Sequence, residues 1–244
     1  MKNFILALLT LFSICGCHNG KEQYTSIYLF IDVTDTIFKN PETYLSDIPI
    51  IIKEIGIDTI RGGFNGGEVK MFLLNNVSQT KSVTVKLNKG ISGLLGQNEL
   101  DRMDEIKTFY KKLNQGINDL LASIEFQREQ SKIYQNICRE LNTLSNTHSD
   151  KKIVIIYSDM LENSNLFTFY GEISKIQSYI NDINSAMQEL SKDCSLPELS
   201  AIDVHIVTIR TKETDEKINL AEQFWTKLFM SKNCQVTFDV ELNL

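Results

Sequence analysis

Three features of the chain predict a three-layer α/β fold: a mostly parallel central sheet with one antiparallel edge strand, and helices on both faces. Ile27 to Ile31 and Ile153 to Tyr157 are apolar runs of β-prone residues, the first stopping at Asp32 and the second at Ser158-Asp159, the pattern of buried interior strands. From Lys152 onward the chain reads βαβαβ, which demands parallel strands joined by right-handed crossovers. Between the strand patterns Glu68 to Leu74 and Ser82 to Leu87 lie only Asn75 to Lys81, too few for a parallel crossover. Those two strands must form a hairpin.

At the amino terminus, Met1-Lys-Asn3 is a short positive region and Phe4 to Ile14 an apolar run too short to span a bilayer. The run ends in Ile14-Cys-Gly-Cys17, which resembles the lipobox of bacterial lipoproteins. The resemblance implies a signal peptide over 1–16, cleavage after Gly16 and lipidation of Cys17. Residues 17–24 would then form a tether and 25–244 the folded domain. The expected location is the cell envelope, anchored to a bacterial membrane through lipid.

The formal charge of the whole chain is −6, and removing Lys2 with the signal makes it −7. No basic patch speaks for nucleic acid, and none is expected as a partner. Cys138, Cys194 and Cys234 accompany Cys17, none in a C-x-x-C spacing, which argues against a zinc or thioredoxin-like site. Cys194 precedes one strand pattern and Cys234 the next, so a Cys194–Cys234 disulfide is expected, with Cys138 a helix-core thiol. His18, His148 and His205 are scattered and make no catalytic group, and Trp225 lies on the apolar face of a helix.

Taken in order, the first strand stops at Asp32, and hydroxyls follow at Thr34 and Thr36. Apolar residues at helical spacing over Tyr44 to Ile57 predict a helix beginning near Ile48, with Pro49 in its first turn. Arg61 to Gly67 is glycine-rich but leads into a strand, so it reads as a turn, not a phosphate-cradling loop. Glu99 to Phe126 predicts a long amphipathic helix with a kink near Gly116, and a second helical pattern begins just after Ser131. This helical segment, 99–146, is either an exposed arm or a cover for the sheet. Further helices are expected over Gly171 to Leu190 and Lys217 to Met230, with strands over Val204 to Ile209 and Val236 to Val240.

An Asp32-x-Thr34-x-Thr36 loop after the first strand, an early hairpin, a mid-chain hydroxyl opening a helix and a fourth strand ending in Ser158-Asp159 together resemble the von Willebrand factor A domain over residues 25 to 242. The resemblance implies that family's three-layer, Rossmann-like fold and a metal-ion-dependent adhesion site. Asp32, Thr34, Thr36 and Asp159 match its first and last elements. Ser131 is the chosen middle hydroxyl, with Ser123 in reserve. The family usually has serine at the two hydroxyl positions and often glycine after the last aspartate; here both are threonine, and Met160 follows.

Hard oxygen donors of this kind suit Mg²⁺ or a similar divalent cation, and an ion short of anionic ligands keeps a position open for a partner protein's Asp or Glu. The expected function is adhesion or assembly rather than turnover. Two alternatives stand beside it: a metal-free scaffold of the same fold that binds through its helices, and a haloacid-dehalogenase-type phosphohydrolase with Asp32 as nucleophile. Glu162 and Asn163 are candidates for the rim of the site.

Overall fold

The computed structural model describes residues 21–34, 36–60, 62–74, 81–91, 96–123, 131–211 and 214–244. The expectations for the signal peptide, Cys17 and the first part of the tether lie outside them. The six strands are β1 (Tyr24–Asp32), β2 (Gly66–Leu74), β3 (Ser82–Leu87), β4 (Lys151–Tyr157), β5 (Asp203–Val207) and β6 (Val236–Asp239), in the order β3-β2-β1-β4-β5-β6. Every neighbouring pair is parallel except β2 and β3. The hairpin strand therefore forms one edge, as its short connection demanded.

The helices are α1 (Pro41–Leu45), α2 (Ile48–Glu54), α3 (Glu99–Ala122), α4 (Ile133–Ser145), α5 (Ile173–Asn181), α6 (Ile183–Leu190) and α7 (Asp215–Met230), with a 3-10 turn at Thr36–Lys39. Alternation along β1 divides the core. Tyr28 and Phe30 pack with α4 and α7 on one face, whereas Ile27, Leu29 and Ile31 pack with α2 and α3 on the other. Pro49 does occupy the first turn of α2, where its missing N–H costs nothing.

Of the segment 99–146, helices α3 and α4 cover the sheet and do not form a projecting arm; residues 124–130 lie outside the described residues. Ile106, Phe109, Leu113 and Ile117 of α3 lie on one face, and Ile137, Leu141 and Leu144 of α4 on the opposite face. α3 runs unbroken through Gly116, with no end or change of helix type there. A Cβ at that position would come within 2.7 Å of Met71 Cε and 3.0 Å of Val83 Cγ1, so the glycine serves close packing on β2 and β3. The single helix expected over 171–190 is two helices. Asp182 leaves helical geometry (φ −125°, ψ 78°) and its carboxylate accepts from Ser185 N at 3.2 Å, capping α6.

The expected Cys194–Cys234 pairing is wrong: the disulfide joins Cys138 to Cys194, with Cα atoms 6.2 Å apart. The segment after α6 runs back along α4 before β5 begins. Tyr134 Oη donates to Cys194 O at 2.7 Å, and Asn142 Nδ2 to Ser195 O at 2.9 Å. Cys234 is a buried free thiol beside Ile202 O. Position relative to the strands said where the chain enters the sheet, not which helix the connecting segment crosses. Alkylation of the unreduced, unfolded protein followed by peptide mapping should label Cys234 and leave Cys138 and Cys194 linked; label on Cys138 would overturn this pairing.

One charged side chain holds the lower end of the sheet. Arg102, 1% exposed, donates from Nε to Gly63 O (2.9 Å), from Nη2 to Asn65 O and from Nη1 to Glu105 Oε2 (2.8 Å). Its removal strands two carbonyls beneath the N-terminus of α3. Arg102→Ala should lower stability by about 3 kcal/mol in urea unfolding, and a loss under about 1 kcal/mol would show that water replaces these bonds.

Candidate functional site

The site lies at the carboxyl ends of β1 and β4, where parallel strands open into loops. Asp32 ends β1 and is fully buried. Its Oδ1 accepts from Thr34 N at 2.9 Å and from Thr34 Oγ1 at 2.6 Å, a turn in which the aspartate holds its own loop. Its Oδ2 accepts from Ser158 Oγ at 2.7 Å. Ser158 follows β4 directly, and its N–H continues the ladder to Val207 O at 3.1 Å. One hydrogen bond thus joins the two central loops.

The loop after β4 is held by three further hydrogen bonds. Leu161 N donates to Asp159 Oδ1 (2.9 Å), and Met160 N to Ser158 Oγ (2.9 Å). Met160 sits at φ 59°, a left-handed conformation that glycine adopts most easily. Trp225 Nε1 holds Met160 O at 2.8 Å from α7, and the Met160 side chain is fully buried. Trp225 is a core residue, as expected, and its indole also supports this loop.

Glu162 and Ser131 bring the start of α4 into the same place. The N-cap of α4, Lys132, makes no side-chain capping bond. Glu162 supplies the cap from across the fold, its Oε2 accepting from Tyr134 N at 2.8 Å. Next to it, Ser131 and Asn163 exchange both backbone bonds, Ser131 N to Asn163 O at 3.1 Å and Asn163 N to Ser131 O at 2.9 Å. Ser131 is therefore stitched to the loop that carries Asp159. The reserve candidate Ser123 caps the C-terminus of α3, its Oγ donating to Leu120 O at 2.7 Å. Thr36 opens the 3-10 turn after Asp32; its side chain lies outside the described residues.

Burial dominates the electrostatics. Glu162, expected at an exposed rim, is 1% exposed, and desolvation raises its pKa to about 7. Hydrogen bonds from Ser164 and the amides of Tyr134 and Ile133 oppose that rise, and the charge of Asp32 adds to it. Burial and then the Asp32 charge likewise push the Tyr44 phenol above its ordinary range, while its hydroxyl donates to Phe38 O. Among the described residues two buried side-chain polar atoms lack a hydrogen-bond partner, Ser131 Oγ and Thr208 Oγ1. Among them too, no group of three or more His, Cys, Asp or Glu gathers to hold a metal, so any ion here must rely on hydroxyls as well as carboxylates.

No family model matches the chain, and no curated protein matches it. Several solved structures show a distant likeness, three of which illustrate it. Proximal thread matrix protein 1 from the mussel byssus, with a zinc-occupied MIDAS motif, has a TM-score of 0.41 and 13% identity over 90% of this chain and 45% of its own. The pilus adhesin SpaC from Lactobacillus rhamnosus GG has a TM-score of 0.41 and 12% identity, over 88% and 30%. The human COPII-coat protein Sec24c has 0.41 and 11%, over 92% and 31%. The chain thus spans less than half the length of each. Likeness at this level transfers neither ligand nor role, and the fold stands on its own hydrogen-bond ladders.

The raised pKa of Glu162 gives a signed expectation. A folded-state pKa near 7, above the ordinary 4.5, makes a contribution to stability that is complete below about pH 4.5 and lost as pH rises through 7. Relative to Glu162→Gln, the wild type should lose on the order of 3 kcal/mol between pH 4 and pH 8 in urea unfolding with chelator present. Parallel pH profiles of the two proteins would show that folding leaves the Glu162 pKa unchanged.

Proposed function

We propose that the carboxyl end of the sheet holds a hard divalent cation, Mg²⁺ before others, and that the chain uses it to capture an acidic group of a partner protein. The observation that carries this reading is Ser131 Oγ, a buried hydroxyl without a hydrogen-bond partner, fixed beside the Asp159 loop. An unmet buried hydroxyl costs about 1–3 kcal/mol, and an oxygen-seeking ion would offset that. The donor set fits the ion. Asp32, Thr34, Thr36, Ser131 and Asp159 offer only oxygens, the ligands of hard cations.

The hydrogen bonds prepare these oxygens for a positive charge. Thr34 commits its proton to Asp32 Oδ1, and Ser158 commits its proton to Oδ2. Toward any third atom both hydroxyls are then acceptors, the polarity a cation requires. Asp32, being fully buried, acts through these hydroxyls, charging them while staying behind them. When bound, the cation supplies an electrophilic position that a partner's carboxylate can fill.

A membrane-anchored place in the cell envelope completes the proposal. The lipobox-like Ile14-Cys-Gly-Cys17 supports it, and so does the Cys138–Cys194 disulfide, which suits an oxidising compartment. The metal-free scaffold has one observation in its favour. Both Asp32 oxygens already accept hydrogen bonds, as a purely structural staple between the loops would. A nucleophilic Asp32 has no such support, since it is fully buried.

Calorimetric titration with Mg²⁺ and Mn²⁺ separates the two readings. The wild type should bind, Asp159→Ala should bind at least about tenfold more weakly, and Ser131→Ala should also lose affinity. A wild type that binds neither ion would sink the cation reading and leave the staple.

A further inference from the structure

The second unpartnered hydroxyl, Thr208 Oγ1, lies on the far side of Ser158 from Asp32. The register pairs Ile31 with Tyr157 and Tyr157 with Val207; continued by one residue it sets Asp32 at the end of β1 level with Ser158 and Thr208, which directly follow β4 and β5. The ladder continues through that rung, with Ser158 N bonded to Val207 O at 3.1 Å and Thr208 N to Asp239 O at 2.8 Å. Alternation gives the face. Phe30, Ile156 and Ile206 belong to the core layer of α4 and α7, whereas Ile31, Tyr157 and Val207 belong to the other. Asp32, Ser158 and Thr208 therefore turn toward the α4 and α7 side. All three are buried, Thr208 at 2% exposure.

Resting on the cation reading above, we propose that Thr208 is a positioning residue of that site, holding Ser158 through one bridging water so that Ser158 directs its proton to Asp32. Thr208 Oγ1 makes no direct bond to Ser158 Oγ, and strands about 4.8 Å apart leave room for a single water between two hydroxyls on one rung. Ser158 Oγ accepts from Met160 N and donates to Asp32 Oδ2, which leaves one lone pair. A donor on that lone pair fixes the direction of the Ser158 proton, and with it the charge on Asp32 Oδ2. Threonine also meets the requirement of the strand, whose pleat a β-branched residue fits.

The test uses Thr208→Val, Thr208→Ser and Ser158→Ala in the purified chain. In chelator, Thr208→Val should lower Tm, Thr208→Ser should not, and adding Thr208→Val to Ser158→Ala should change Tm no further. A rise in Tm, as expected on removing a dry unpaired hydroxyl, or an equal fall in both backgrounds, would overturn the bridge. In Mn²⁺ titration, Thr208→Val should bind roughly tenfold more weakly and Thr208→Ser like the wild type. Unchanged affinity in the valine variant would overturn the positioning role. If the wild type itself binds no Mn²⁺, the cation reading fails, and the melting data still decide whether Thr208 holds Ser158.

Discussion

The hydrogen bond from Ser158 Oγ to Asp32 Oδ2, 2.7 Å long and fully buried, joins the two central strands just where their loops part. Each partner is itself fixed by its strand's last ladder bond and by an amide of its own loop. Thr34 N reaches Asp32, and Met160 N reaches Ser158. A buried carboxylate is tolerated only when hydrogen-bonded or paired, so this contact is the condition for placing Asp32 at the end of β1. It couples the two loops through one buried hydrogen bond.

Around that bond the fold supplies support from three directions. Glu162 caps α4 across the chain, and the Ser131–Asn163 exchange fixes the segment before that helix. Trp225 of α7 holds the carbonyl of Met160, whose left-handed backbone would otherwise relax. The Cys138–Cys194 bond ties the far part of α4 to the segment leading into β5. Both faces of the sheet are covered, so the loops at its carboxyl end are the part of the molecule where polar side chains can gather away from the apolar core.

Much of this was legible in sequence. The apolar run ending at Asp32 announced a central strand, and the seven residues Asn75 to Lys81 required a hairpin at the edge. The helical pattern expected just after Ser131 is α4, and the buried Ser131 oxygen is one of two among the described residues that lack a partner. Other residues had no local signal. Glu162 resembled an exposed loop residue, because capping a helix from another element leaves no spacing to read. Thr208 was simply the end of a strand pattern, and its place beside Ser158 depends on the order and register of three strands.

Periodicity, turn chemistry and connection length are properties of neighbouring residues, so the sequence by itself determined most of the elements, the parallel second half and the antiparallel hairpin. Contacts between residues far apart in the chain were decided only by the tertiary structure. Cys194 pairs with Cys138 and not Cys234 because the segment after α6 turns back along α4. Helices α3 and α4 lie on opposite faces because each has an apolar side that a separate face of the sheet must bury. Asp32, Ser158 and Thr208 align because three strands, joined by long crossovers, settle at one register.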